Sequence, residues 1–191
     1  MTCLACRGAS RDAVCAGCRR TLRPAPDRVV GTVLVRSAFE HEGAARALVH
    51  RLKYEAVSGV ALRLATVMAP LLPTRATAVV PVPRARVRHL LYGIDPAGAL
   101  ARALGRVADL PVEDRLVPPA WARRRAGGAD RDRGARSFRL VGTVPRGAVL
   151  VDDVVTTGTT LLAAAAATGL GHAVTATSSW HSALTSRRGA P

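Results

Sequence analysis

Between Ala148 and Thr160 the chain reads AVLVDDVVTTGTT, and no other stretch constrains the fold as much. Ala148 to Val151 has no polar position, the mark of a strand buried on both faces, as in a parallel sheet covered by helices. Two carboxylates follow, then a threonine turn around Gly158, then the Ala-rich run Thr159 to Thr168, which predicts a helix. Strand, turn and helix in this order place a ligand at the carboxyl edge of an open α/β sheet. In the turn, Thr156, Thr157, Gly158, Thr159 and Thr160 gather backbone N–H groups and hydroxyls around one point, and the helix adds its positive end. A phosphate monoester fits that chemistry. Gly158 is expected because a Cβ would obstruct the turn or the approach of the phosphate. Asp152 and Asp153 stand beside this anion site, where two carboxylates are costly unless hydroxyls or a metal satisfy them. The two hydroxyls of a ribose would do so, and Asp153 would also stand beneath an anomeric carbon gaining positive charge. The plainer alternative is a strand, a surface turn with two solvated aspartates, and a helix.

The remaining chain alternates in a compatible way. Arg28 to Phe39 alternates valine with polar residues and predicts a strand or hairpin. Gly43 to Tyr54 carries Ala44, Ala47, Leu48, Arg51 and Leu52 at helical spacing, and a second helix is expected from Ser58, as N-cap, to Leu72. Thr77 to Val82 predicts a short strand, stopped by Pro81 and Pro83. Asp95-Pro96 supplies a cap and a first-turn proline for a helix to about Val107. Leu110 to Val117 reads as another strand, Pro118 to Arg136 as a long loop, and Ala173 to Trp180 as the last strand. Aromatics make up only 3% of the chain, so the core must be Ala, Val and Leu, which suits helix-on-sheet packing. The expectation is one α/β domain over residues 27–191, a mostly parallel sheet with helices on both faces.

Residues 1–26 are expected to form a separate unit ending in the Pro24 to Pro26 linker. All four cysteines lie there, as Cys3-x-x-Cys6 and Cys15-x-x-Cys18. Two such knuckles close a tetrahedral Zn²⁺ site with no open position, hence a structural one. Disulfides are the alternative, disfavoured in a reducing compartment. No apolar run reaches the roughly 18 residues that span a bilayer, and the N-terminus lacks the apolar core of a signal peptide, so no membrane insertion and a cytoplasmic location are expected.

The net charge is +15, from 28 basic and 13 acidic residues, and Lys53 is the only lysine. Exchanging Lys for Arg leaves charge unchanged, so the excess itself implies a polyanionic partner or substrate. Arg84 and Arg86, after the strand ending VVPVP, are candidates to hold a diphosphate, against the alternative of a solvated basic turn. Arg123, Arg124, Arg125, Arg131, Arg133 and Arg136 are candidate nucleic-acid contacts, as is the cluster from Arg19 to Arg28. Only Trp121 and Phe138 flank the Arg-rich loop, so any such contact would be electrostatic and tolerant of sequence. The alternative is the solvated surface of an Arg-biased protein. The five histidines are scattered, and none is assigned. Trp180 reads as core filler.

VLVDDVVTTGTT resembles the phosphoribosyl-pyrophosphate (PRPP) signature of type I phosphoribosyltransferases. The four-cysteine knuckle, the helix with Leu52-Lys53-Tyr54, VVPVPRARVR and the final motif together resemble the ComF family of competence-related, phosphoribosyltransferase-like proteins. The resemblance implies a type I transferase fold behind a zinc ribbon, and release of diphosphate from Mg²⁺-bound PRPP. It also implies that Asp152 and Asp153 grip the ribose hydroxyls and Thr156 to Thr160 the 5′-phosphate. In transformable bacteria it further implies a part in DNA uptake, with single-stranded DNA and a competence helicase as partners. The alternative is a non-catalytic nucleic-acid-binding or PRPP-sensing component on the same fold. The chain departs from the family pattern at Tyr92-Gly93-Ile94-Asp95-Pro96, where relatives commonly read Arg-Gly-Phe-Asn-Gln. It departs again between Arg123 and Arg139, which hold seven arginines and two aspartates.

Overall fold

The computed structural model describes residues 1–55, 58–83, 95–118 and 138–179. Along the chain come α1 (Ala16–Arg19), β1 (Arg28–Val30), β2 (Val33–Glu40), α2 (Gly43–Tyr54), α3 (Ser58–Met68), β3 (Val79–Pro81) and α4 (Pro96–Ala108). These are followed by β4 (Leu116–Val117), β5 (Arg139–Leu140), β6 (Val149–Val155), α5 (Thr159–Thr168) and β7 (His172–Ser178). Among the described residues the central sheet has five strands in the order β1-β2-β7-β6-β3. Only β1 runs antiparallel to its neighbour; β2, β7, β6 and β3 are mutually parallel.

Strand alternation explains the layers. On β6, Val149 and Val151 pack with α2, α3 and α4, whereas Ala148 and Leu150 pack with α5. The protein is therefore α/β with helices on both faces of a mostly parallel sheet. Leu48 and Leu52 of α2, Leu64 of α3 and Leu100 and Leu104 of α4 are almost fully buried on the first face. Each contributes about 1.5–3 kcal/mol by leaving water.

The hairpin expected over Arg28 to Phe39 forms as β1 and β2, closed at Val30 and Val33 through Gly31, whose φ of +57° is left-handed. The second helix differs from expectation: it ends at Met68 and tightens into a 3₁₀ turn at Ala69–Leu71. Pro70 lacks the N–H that an α-helix would need there. Leu110 to Val117 is not one strand. Val112 makes an isolated parallel bridge to Val79, and Leu116–Val117 then leaves to pair with β5. Pro111 can only accept, and does so from the Val79 N–H, and the polar run Glu113 to Arg115 offers nothing to bury beside it. Trp180 and the loop from 119 to 137 lie outside the described residues.

The N-terminal unit rests on α2. Cys3, Ala5 and Val14 belong to the same buried cluster as Leu48, Leu52 and Leu64. Glu42, the N-cap of α2, makes no capping side-chain bond; Thr21 Oγ1 instead accepts from the Ala44 N–H at 3.1 Å. At the other end, Arg51 donates to the carbonyl of Leu4 at 2.9 Å and pairs with Glu55, which also meets Arg7. Burial would raise the Glu55 carboxyl, but Arg51 and Arg7 together hold it below its ordinary range. Among the described residues no helix is long and apolar enough to cross a membrane.

Candidate functional site

Buried polar side chains mark one end of this sheet. Among the described residues they are Ser37, Asp153, Thr175, Thr177 and Ser178, all toward the carboxyl ends of β2, β6 and β7. Polar groups leave water only where partners compensate them, so their gathering identifies a built polar surface. Ser37, Thr175 and Asp152 are aligned across three strands by register, and the Ser37 and Thr175 hydroxyls bond at 2.7 Å. Thr177 Oγ1 lies 2.8 Å from His41 Nδ1 and donates to the Asp153 carbonyl at 3.4 Å. The Ser178 hydroxyl is buried without a hydrogen-bond partner among the described residues.

The two aspartates diverge because neighbours on a strand project to opposite faces. Asp153 follows Val149 and Val151 toward α2, where the Lys53 ammonium meets its Oδ2 at 3.1 Å. Asp152 follows Leu150 to the α5 face, is half-buried, and accepts the Asp153 N–H at 2.8 Å. Burial, then the neighbouring Asp153 carboxylate, push the Asp152 carboxyl well above its ordinary range, while that N–H and Lys53 pull the other way. His41 is depressed by burial and by Lys53 and Arg46, against the attraction of Asp153.

Beyond β6 the threonine turn is open. Thr156, Thr157 and Thr159 are exposed, and Thr157 and Thr159 bond through their hydroxyls at 2.9 Å. Gly158 is the N-cap of α5 with φ +75°, and being glycine it supplies no capping side chain of its own. A Cβ on Gly158 would stand 2.4 Å from Val30 Cγ1. The glycine is thus required by the turn and by the close approach of β1. The resulting surface offers amides and hydroxyls to an anion, with carboxylates a few residues away.

No protein-family model and no curated protein matches the chain.

The cysteines form a second centre. The sulfurs of Cys3, Cys6, Cys15 and Cys18 lie within 4.8 Å of one another, and no disulfide joins them. Zinc held tetrahedrally at about 2.3 Å sets sulfurs roughly 3.8 Å apart; Cys6 and Cys15 stand at 3.8 Å. The Cys15 N–H points at Cys3 Sγ at 3.3 Å, and the Cys18 N–H at Cys15 Sγ at 3.5 Å. Burial opposes the Cys3 thiolate, but amides of Cys15, Cys6 and Ala5 bring it down to about 6. Burial and the surrounding sulfurs push Cys18 up to about 12. The four crowded sulfurs form a donor set compatible with a structural zinc.

Arg84 and Arg86, and the six candidate nucleic-acid contacts Arg123, Arg124, Arg125, Arg131, Arg133 and Arg136, lie outside the described residues. In the cluster from Arg19 to Arg28, Arg19 and Arg23 are engaged by Asp12 and Glu42. A cleft of about 330 Å³ between the knuckle and α2 is lined by Arg7, Arg46, His50 and Arg51 with Glu55, well apart in sequence from the Asp and Thr motif.

Sequence reasoning singles out neither Ser37, Thr175, Thr177 and Ser178 nor His41. The available signal was the hydroxyl at alternate positions of HAVTATS, a polar stripe toward the end of an otherwise buried strand. Lys53 is conspicuous in the sequence as the sole lysine and within Leu52-Lys53-Tyr54; its partner is set by the fold.

Proposed function

We propose that this chain binds a phosphorylated ribose, PRPP being the ligand its residues fit best, as a phosphoribosyltransferase-like protein of the ComF type. The observation that carries this reading is the meeting, at one sheet end, of the open Thr156 to Thr160 turn, the start of α5, the aspartate pair and the buried hydroxyls. The 5′-phosphate would sit on the turn, where amides and the helix end favour an anion. Asp152, on the face of α5, would accept from the ribose hydroxyls, with Asp153 completing the acidic end of the site.

In transfer, an incoming nucleophile bonds to the anomeric carbon while the bond to diphosphate breaks and its electrons leave with that group. The carboxylates favour the oxocarbenium-like charge developing between these events. Among the described residues the cysteines are the only cluster suited to a metal ion. Mg²⁺ would therefore come with the diphosphate of PRPP, neutralising the leaving group. Zinc at the cysteines holds the knuckle on α2 and takes no part in the reaction.

The test is thermal unfolding of the whole chain with PRPP and Mg²⁺. A ligand at 100 times its Kd stabilises by about 2.7 kcal/mol, a readily measured shift in Tm. The expected result is a rise with PRPP that Asp153→Asn reduces, accompanied by diphosphate release with some acceptor in a nucleobase screen. No rise with PRPP would overturn the reading; a rise with no diphosphate release would leave a PRPP sensor on a transferase-like frame.

A further inference from the structure

Lys53 projects from the last turn of α2 to the acidic end of β6, and it is the one lysine among 28 basic residues. Its Nζ stands 3.1 Å from Asp153 Oδ2, with side-chain exposures of 21% and 9%. Every other cationic position in the chain is arginine, whose planar fork demands a matched planar acceptor. An ammonium is a compact charge on a flexible stem, able to serve one oxygen of a crowded carboxylate. His41, near the same pair, is depressed by burial and then by Lys53 and Arg46.

We propose that Lys53 is the positioning residue of the sugar-phosphate site, holding the Asp153 carboxylate from the α2 side in its ligand-receiving orientation. The inference rests on the PRPP reading and adds to it a residue from the opposite face of the sheet. A carboxylate beside a second carboxylate is repelled by it, and a fixed cation on one side offsets that repulsion. The Lys53 side chain is itself only 21% exposed, so its apolar stem is largely withdrawn from water while the ammonium meets Asp153. In this arrangement α2 connects the knuckle, through Arg51 and Glu55, to the sugar site through the residue between them in the same turn.

The experiment is a mutant cycle on the full, zinc-loaded chain, read by calorimetric titration with PRPP and Mg²⁺. Lys53→Met keeps the apolar stem and removes the charge; it should weaken PRPP binding about tenfold or more. In an Asp153→Asn background the same change should add less than about twofold, because its target is gone. Lys53→Arg should recover part of the loss, which a packing role would not produce. Circular dichroism and zinc content unchanged from wild type certify the fold of each variant. Losses that simply multiply across the cycle, or a Lys53→Met protein that binds as wild type does, overturn the proposal while leaving the PRPP reading intact. Failure of the wild-type chain itself to bind PRPP overturns both together. A second readout uses the sole lysine: after reductive methylation with a ¹³C label, its resonance should move on Asp153→Asn. A resonance indifferent to that change removes the ion pair from solution and the proposal with it.

Discussion

Gly158 does three things at one position: it caps the start of α5, turns the chain with a left-handed φ, and lets Val30 approach to where a Cβ would stand. Gly158→Ala should therefore cost about 2–4 kcal/mol, from the left-handed conformation and from overpacking against Val30. Urea unfolding measures it, and an effect under about 0.5 kcal/mol would show that the turn relaxes freely. Asp152 makes a second residue-scale prediction, this one about pH. Its folded carboxyl titrates above the ordinary range because of burial and Asp153, so the folded state holds the proton to higher pH than the unfolded chain. Stability from this group is complete below the ordinary carboxylate value of about 3.9 and is lost as pH rises through the raised folded value. Asp152→Asn should accordingly melt above wild type near about pH 7–8, with the difference shrinking toward about pH 4. A difference constant across that range would show that the carboxyl is not strained in the fold.

At the scale of elements, α2 is the common support. One stripe buries Ala44, Ala45, Leu48, Val49 and Leu52 against the sheet, while its ends take Thr21 from the knuckle and Arg51 into it. The cysteine unit thus shares its core with the domain: Cys3, Ala5 and Val14 pack in the cluster that holds α2 and α3. Removing the metal should destabilise more than residues 1–26. Chelation is expected to lower Tm by roughly 10 °C, since a structural zinc contributes several kcal/mol and each shifts Tm by about 2–4 °C in a chain of this size. Plasma emission analysis should find one zinc per chain, and Cys3→Ser should both lose it and melt early. Acidification should release it, because the thiolates that bind must be reprotonated. A chelated protein with unchanged Tm would make the knuckle an independent appendage.

For the molecule as a whole, much of the architecture was legible in local pattern. The unbroken apolar run at Ala148 to Val151, the helical spacing in Gly43 to Tyr54 and the Ala-rich Thr159 to Thr168 each became the expected element, since periodicity reports directly which sides of an element meet the core. Leu110 to Val117 misled because a short apolar run with Pro111 in it carries no period, and pairing with Val79 was available for one residue only. The cysteine spacing sufficed to foresee a closed four-sulfur cluster, because two knuckles leave the sulfurs little other arrangement. By contrast, Lys53 beside Asp153, His41 beside Thr177 and Ser37 beside Thr175 are contacts over a hundred or more positions, created when α2 packs on the sheet and β7 inserts between β2 and β6. A sequence period states that a face is covered and is silent about which distant segment covers it. Local order therefore determined the strand, the turn, the helices and the sulfur cluster, while the strand order and the packing of α2 decided which side chains share the acidic end of the sheet. Proximity between remote residues is a property of the packed layers, and only burial of both sheet faces brings it about.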